Sequence, residues 1–239
     1  MTVSPSAYFT CGNFSNDTKS YSTSFYLTLA HHPRYLFVAY DNYLESDFHE
    51  NLFALGYTQP IIPKLRFRSV GFYYTTSTDD NGGIVSNRIF YGDNPVLSLG
   101  HSYAVYSKHI QNIRKFYNVH EVNPEYQYTF SNLITVSLGL YYTNTEGEGY
   151  YAGTAKLGMN LLEKLRIETG LIYGELFNHI DDRLLVVNNR PNLQRSSLSL
   201  RVKYNSLFKN INIAGGVVRN VFTTYRVNYY TLGLEFERR

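Results

Sequence analysis

From Ser131 to Leu165 the chain reads SNLITVSLGLYYTNTEGEGYYAGTAKLGMNLLEKL, and its apolar residues recur every second position. Side chains alternate between the two faces of a β-strand, so Ile134, Val136, Leu138, Leu140 and Tyr142 share one face. Thr135, Ser137, Gly139, Tyr141 and Thr143 share the other. After an acidic, glycine-rich turn the second arm repeats the pattern. Gly153, Ala155, Leu157, Met159 and Leu161 alternate with Ala152, Thr154, Lys156, Gly158 and Asn160. This alternation predicts two paired strands with one greasy side and one lined by small and polar groups.

The same period runs along the whole chain, and helical spacing of apolar residues is scarce, so the prediction is all-β. Further greasy faces are Phe25, Leu27 and Leu29; Phe53, Leu55 and Tyr57; Leu65 and Phe67; Leu97, Leu99, Tyr103 and Val105; Leu165, Ile167 and Leu171; Leu198, Leu200, Val202 and Tyr204; and Ile211 with Ile213. The connections fall into two alternating classes. HHPR at 31–34, TQPIIPK at 58–64, GDNP at 92–95, TFSN at 129–132, LLEK at 161–164 and LFKN at 207–210 are short. FSNDTK, NYLESDFHEN, TSTDDNGG, SKHIQNI, NTEGEG, FNHIDDRLLVVNNRPN and VRNVFTTY are mostly longer and more polar. Six short turns and seven loops join about fourteen strands and leave both termini at the short-turn end. Twelve strands is the competing count, because Ser4–Asn13 and Gly83–Gly92 are weakly patterned.

Composition bears on the medium the greasy face meets. Hydrophobic residues make up 44% and charged residues 17% of the 239, against about 25% charged in an average soluble domain. The polar face is therefore built from neutral groups, where a soluble sandwich would show abundant Lys and Glu. The chain holds 24 Tyr, 15 Phe and no Trp, and tyrosine suits a boundary with one dry and one wet side. No apolar run approaches the roughly 18 residues a spanning helix needs. If the chain crosses a bilayer it does so as strands, closed into a barrel so that no backbone edge meets hydrocarbon. Residues 1–239 are read as one such domain, and MTVSPSAYFTCG lacks the basic-then-apolar pattern of a secretory leader. The net charge of +3, without a Lys/Arg cluster, gives no nucleic-acid footprint. Cys11 stands alone, so there is no internal disulfide, and no Cys/His spacing suggests zinc.

The closing strand NYYTLGLEFERR puts Tyr230, Leu232, Leu234 and Phe236 on one side and Thr231, Gly233 and Glu235 on the other. With its alternating strands, tyrosine-rich edges and asymmetric turns, the whole chain resembles a bacterial outer-membrane β-barrel, although Glu237, Arg238 and Arg239 follow the last aromatic. Within that class, DNYLESDFHENLFALGYTQPIIPKLRFRSVGFYYTTSTDD is similar in texture to YaiO-like barrels. The resemblance implies an antiparallel up-and-down transmembrane barrel in the bacterial outer membrane, with short periplasmic turns, longer extracellular loops and outer-membrane lipid around it.

On such a barrel Arg66, Arg68, Lys156, Arg166, Arg201 and Lys203, with Glu125, Glu168 and Glu235, line the periplasmic half of the lumen as a mostly basic belt. Charged rings set ion preference in pores, so six bases against three acids predict a lean towards anions. The alternative is that these groups neutralise one another and fill the interior. His101 and Asn87 are the defects of the pattern, since both fall on greasy faces unless a bulge turns them inward. The loop Glu175–Asn192 carries the apolar knot LLVV, which folds into the barrel mouth or packs against something outside.

No enzyme is expected, because no nucleophile, base and orienting acid converge. Ser107 and His109 fall in a predicted loop without an acid beside them, and GHSYA at 100–104 is no nucleophile elbow. TDDNGG and Asp181/Asp182 are turn formers before they are Ca²⁺ ligands. The reading is a passive pore for small solutes or ions, without cofactor or metal. The alternatives are a non-conducting barrel anchoring a periplasmic or surface partner in export, and a soluble ligand-binding barrel.

Overall fold

The computed structural model describes residues 2–31, 34–110, 113–161, 164–176, 180–181, 186–187, 193–208 and 210–236. The strands are β1 (Thr2–Phe14), β2 (Lys19–His31), β3 (Arg34–Glu45), β4 (Phe48–Ile62), β5 (Leu65–Thr76), β6 (Asn81–Tyr91), β7 (Val96–Ile110) and β8 (Ile113–Phe130). They continue as β9 (Ile134–Thr145), β10 (Glu148–Leu161), β11 (Leu165–Leu176), the short pair β12 (Ile180–Asp181) and β13 (Val186–Val187), then β14 (Gln194–Phe208), β15 (Ile211–Phe222) and β16 (Arg226–Phe236). All but β12 and β13 form one closed antiparallel barrel of fourteen strands. The seam is β1 against β16, from Ser6 opposite Glu235 to Phe14 opposite Val227. Closure pairs every strand on both sides, as a bilayer demands of backbone polar groups. The weakly patterned segments 4–13 and 83–92 are β1 and β6, which decides fourteen over twelve.

The predicted short turns lie together at the end that carries both termini. At the opposite end the strands run further than the sequence suggested. Residues 42–51 form a continuous hairpin turning at 46–47, and 144–149 turn at 146–147, where Glu146 and Gly147 take positive φ of 51° and 88°. Two positive φ values in succession mark a type I′ turn, whose twist matches the strands it joins. The apolar knot Leu184–Val187 lies largely outside the described residues, as do His32, His179 and Asp182.

The greasy faces point away from the barrel axis. Leu55, Leu99, Leu138, Leu140, Leu198 and Leu232 are each 55–63% exposed, a continuous apolar surface that only an apolar surrounding matches. Tyrosines bound it above and below. Tyr21, Tyr73, Tyr142, Tyr151 and Tyr173 sit towards the outer ends of their strands, and Tyr35, Tyr91, Tyr126, Phe130, Tyr204 and Phe236 towards the inner ends. These are the interfacial girdles of a membrane barrel. His101 and Asn87 stay outward, opposite one another in an unbroken β6–β7 register, so no bulge turns them in. The His101 ring instead reaches up to His120, Nε2 to Nδ1 at 3.5 Å, and the His120 ring lies against Tyr103 with centroids 4.7 Å apart and planes tilted by 36°.

Inward glycines seat large rings. A Cβ on Gly56 would fall 1.9 Å from the Phe37 ring, and one on Gly233 would fall 2.1 Å from Tyr8. Gly233→Val is therefore expected to push the Tyr8 ring off the wall and to cost about 1–3 kcal/mol as an overpacking change. The urea midpoint of the heat-modifiable band would report it.

Candidate functional site: an off-centre polar lumen

The interior is two unlike halves. Strands β3 to β8 send in Ala39, Leu52, Ala54, Val70, Phe72, Tyr74, Ile84, Ala104, Tyr106 and Val119, which pack into one buried apolar cluster with Tyr26, Phe37 and Tyr117 against it. Tyr106 and Tyr117 stack at 5.1 Å between centroids. This cluster fills much of one side of the barrel and leaves a cavity of about 1380 Å³ against the other. Short hydroxyl side chains make the room: Ser6, Thr10, Ser20, Ser22, Ser24 and Thr28 on β1 and β2, with Ser197, Ser199 and Thr231 on β14 and β16. Bordering residues run from Thr28 and Arg166 near the inner turns to Ser46 and Asp80 in the outer ones.

Below the apolar cluster a buried arginine ties four strands together. Arg88 is 7% exposed, and its guanidinium donates to Asn123 Oδ1 at 2.6 Å and Ser98 Oγ at 3.2 Å. Asn123 in turn donates to the Leu140 carbonyl at 2.7 Å. Gly100 stands between Arg88 and Asn123 in the sheet, and a Cβ there would meet the guanidinium at 2.8 Å. The missing side chain is what lets the arginine cross β7.

The sequence-predicted belt residues separate into distinct groups. Lys156, Arg166, Glu168 and Arg201 border the cavity. Lys156 faces the buried Glu125 at 3.8 Å, and Arg166 pairs with Glu168 at 2.6 Å. Glu235 receives Lys203 at 2.5 Å and Arg201 at 3.1 Å, and the Tyr8 hydroxyl donates to the same carboxylate. Arg201 also lies over the Tyr8 ring at 5.9 Å. Arg66 and Arg68 stand on the apolar side, their guanidiniums over Phe90 at 5.5 Å and Phe37 at 5.6 Å. Each carboxylate of the belt thus meets a cation, and the bases keep the numerical excess.

Besides the Arg88 network, three features of the lumen lie beyond the sequence reading. The hydroxyl wall was visible as Ser20, Ser22 and Ser24 alternating with Tyr21, Thr23 and Phe25. The apolar filling had its signal in Val70–Tyr74, where both faces of one strand are apolar apart from Gly71. Four cavity-lining carboxylates, Asp41, Glu45, Glu50 and Asp80, belong to the outer half; Glu45 and Glu50 are in strands where the sequence predicts a loop, and Asp80 is in a turn as predicted. Asp41 accepts a hydrogen bond from Ser24, and Glu45 one from Tyr43 at 2.5 Å.

For catalysis, Ser107 is in β7 and not in a loop; its hydroxyl contacts the Asn81 carbonyl at 3.3 Å and accepts from Arg114 at 3.1 Å. The His109 side chain lies outside the described residues. Among the described residues no three His, Cys, Asp or Glu side chains come together as metal ligands. In the Thr76–Asn81 turn, Asp80 accepts from the Thr78 hydroxyl at 3.1 Å, the bonding of a turn former.

No family model matches the chain, so the narrower likeness to YaiO-like barrels gains no support. No curated protein matches its sequence either. Solved structures do match. The CymD monoaromatic hydrocarbon channel superposes with a TM-score of 0.64 at 7% identity, covering 99% of this chain and 88% of that one. Omp33 of Acinetobacter baumannii gives 0.59 at 10% identity with 99% of both chains covered. The Pseudomonas putida toluene transporter TodX gives 0.58 at 8% identity, covering 99% and 88%. At such identities the likeness is one of fold, that of bacterial outer-membrane β-barrels, and the outward leucines and aromatic girdles make this chain a closed fourteen-stranded barrel built for a bilayer.

Proposed function

We propose that the protein is a passive outer-membrane channel for small polar solutes. The observation that carries this reading is the cavity of about 1380 Å³, bordered by hydroxyl groups from the inner turns to the outer ones. Serine and threonine offer both donors and acceptors, and their short side chains leave a water-filled path beside the packed apolar half. Solutes would diffuse along the β1, β2, β14 and β16 wall, exchanging hydration for hydroxyl contacts. That the neighbours include a hydrocarbon channel and a toluene transporter agrees with a conducting role. Their cargo is not carried over, since the wall here is built from hydroxyls and charges.

The test is conductance of the purified protein in a planar bilayer, together with swelling of vesicles in neutral sugars of graded size. The channel reading predicts discrete conductance steps and a size-dependent swelling rate. Absence of both in protein that migrates as a folded, heat-modifiable barrel would favour the scaffold reading, a barrel anchoring a partner. The soluble ligand-binding barrel is disfavoured by the exposed leucine belt.

A further inference from the structure

The outside of the barrel carries a histidine pair that the channel does not use. His101 on β7 and His120 on β8 are both exposed, on the face that turns away from the lumen. They stand diagonally across the ladder, His101 opposite Val122 and His120 opposite Tyr103. On its other side His120 is opposite Asn144, which lies two residues beyond Tyr142 of the outer girdle. The pair therefore sits at the rim where the apolar band meets water. Asn118, two residues further out on β8, accepts a hydrogen bond from the Tyr103 hydroxyl at 3.2 Å and so steadies the ring against which His120 rests. His101 Nε2 and His120 Nδ1 are 3.5 Å apart. That is long for an N–H hydrogen bond, whose usual length is about 2.9–3.0 Å. It is close to the spacing of two neighbouring ligands on one metal ion, because metal–nitrogen bonds of about 2.0–2.1 Å set such nitrogens about 2.9–3.4 Å apart. Neither imidazole has another hydrogen-bond partner among the described residues.

We propose that His101 and His120 form a two-histidine clip for a transition-metal ion, Zn²⁺, Ni²⁺ or Cu²⁺, on the outer rim of the barrel wall. Imidazole nitrogen suits these ions, whereas Ca²⁺ and Mg²⁺ take oxygen ligands. Two protein ligands leave the remaining positions to water, which the rim supplies and the middle of the apolar band would not. Small rotations of the two side chains bring the nitrogens to bonding distance. The bound ion then ties β7 to β8 through their side chains. His101, a defect in a strand face that meets only lipid, is accounted for by the ion it holds. Because the clip faces sideways and not into the lumen, it stands or falls independently of the channel reading.

The experiment is titration of the folded, full-length barrel in detergent with Cu²⁺, which binds nitrogen sites most tightly of the three ions, read by electron paramagnetic resonance. His101→Leu and His120→Leu should each abolish one bound copper and the nitrogen splitting of its two imidazoles. The double variant should lose no more copper than either single one, because one ion needs both rings. Leucine suits an outward face, and heat-modifiable migration confirms that each variant folds. Excess Zn²⁺ should displace this copper, and the same excess of Ca²⁺ or Mg²⁺ should not. Unchanged copper binding in either single variant, losses that add in the double variant, or displacement by Ca²⁺ or Mg²⁺ would overturn the clip.

Discussion

Leu138→Arg is expected to destabilise the folded barrel by about 2–4 kcal/mol in lipid vesicles, the cost of a charged side chain near the mid-depth of a membrane barrel's outer face. Leu138 is 55% exposed. On a soluble protein, replacing so exposed a leucine with arginine would change stability by no more than about 0.5 kcal/mol. The size of the loss therefore separates a bilayer from water as the surrounding medium. Urea unfolding in vesicles, followed by tyrosine fluorescence, measures it, and Leu200→Arg at a similar depth on β14 should repeat it.

Ser22→Trp combined with Ser199→Trp is expected to cut single-channel conductance about threefold or more, because two indoles would enter a passage now lined by hydroxymethyl groups. Ser22 and Ser199 both border the cavity. Thr23→Trp is the control. It lies beside Ser22 but faces outward between Tyr21 and Phe25, where an aromatic suits the membrane boundary, and it should leave conductance unchanged. Equal conductance in the double variant and the control would place the ion path elsewhere.

The strand faces were legible because period-two alternation is local. Ile134 to Tyr142 and Tyr230 to Phe236 give their orientation without any knowledge of partners, and turn residues such as Pro63 and Gly92 mark where strands end. Closure with fourteen strands followed from counting those turns. What was not legible depended on strands meeting across the barrel. Val70, Phe72 and Tyr74 are apolar on an inward face, and only the arrival of Ile84, Ala104 and Val119 beside them makes that face a packed half-core. Arg88 was missed because its partner Asn123 is two strands away and is reached across Gly100. Glu45 and Glu50 were placed in a loop because a polar run reads as one; the ladder from Glu45 opposite Phe48 to Asn42 opposite Asn51 makes it strand and turns both carboxylates inward. Lys156, Arg166, Glu168 and Arg201 could be placed on inward faces because each sits on a clearly patterned strand, and these four border the cavity.

Spin labels placed one at a time from Ser197 to Val202 test the central claim, that one face of every strand meets acyl chains and the other a water-filled lumen. Labels at Leu198, Leu200 and Val202 should collide freely with oxygen and be shielded from a water-soluble nickel chelate. Those at Ser197, Ser199 and Arg201 should show the opposite preference, giving a two-residue oscillation along β14. A flat profile, or nickel access at 198, 200 and 202, would contradict the account.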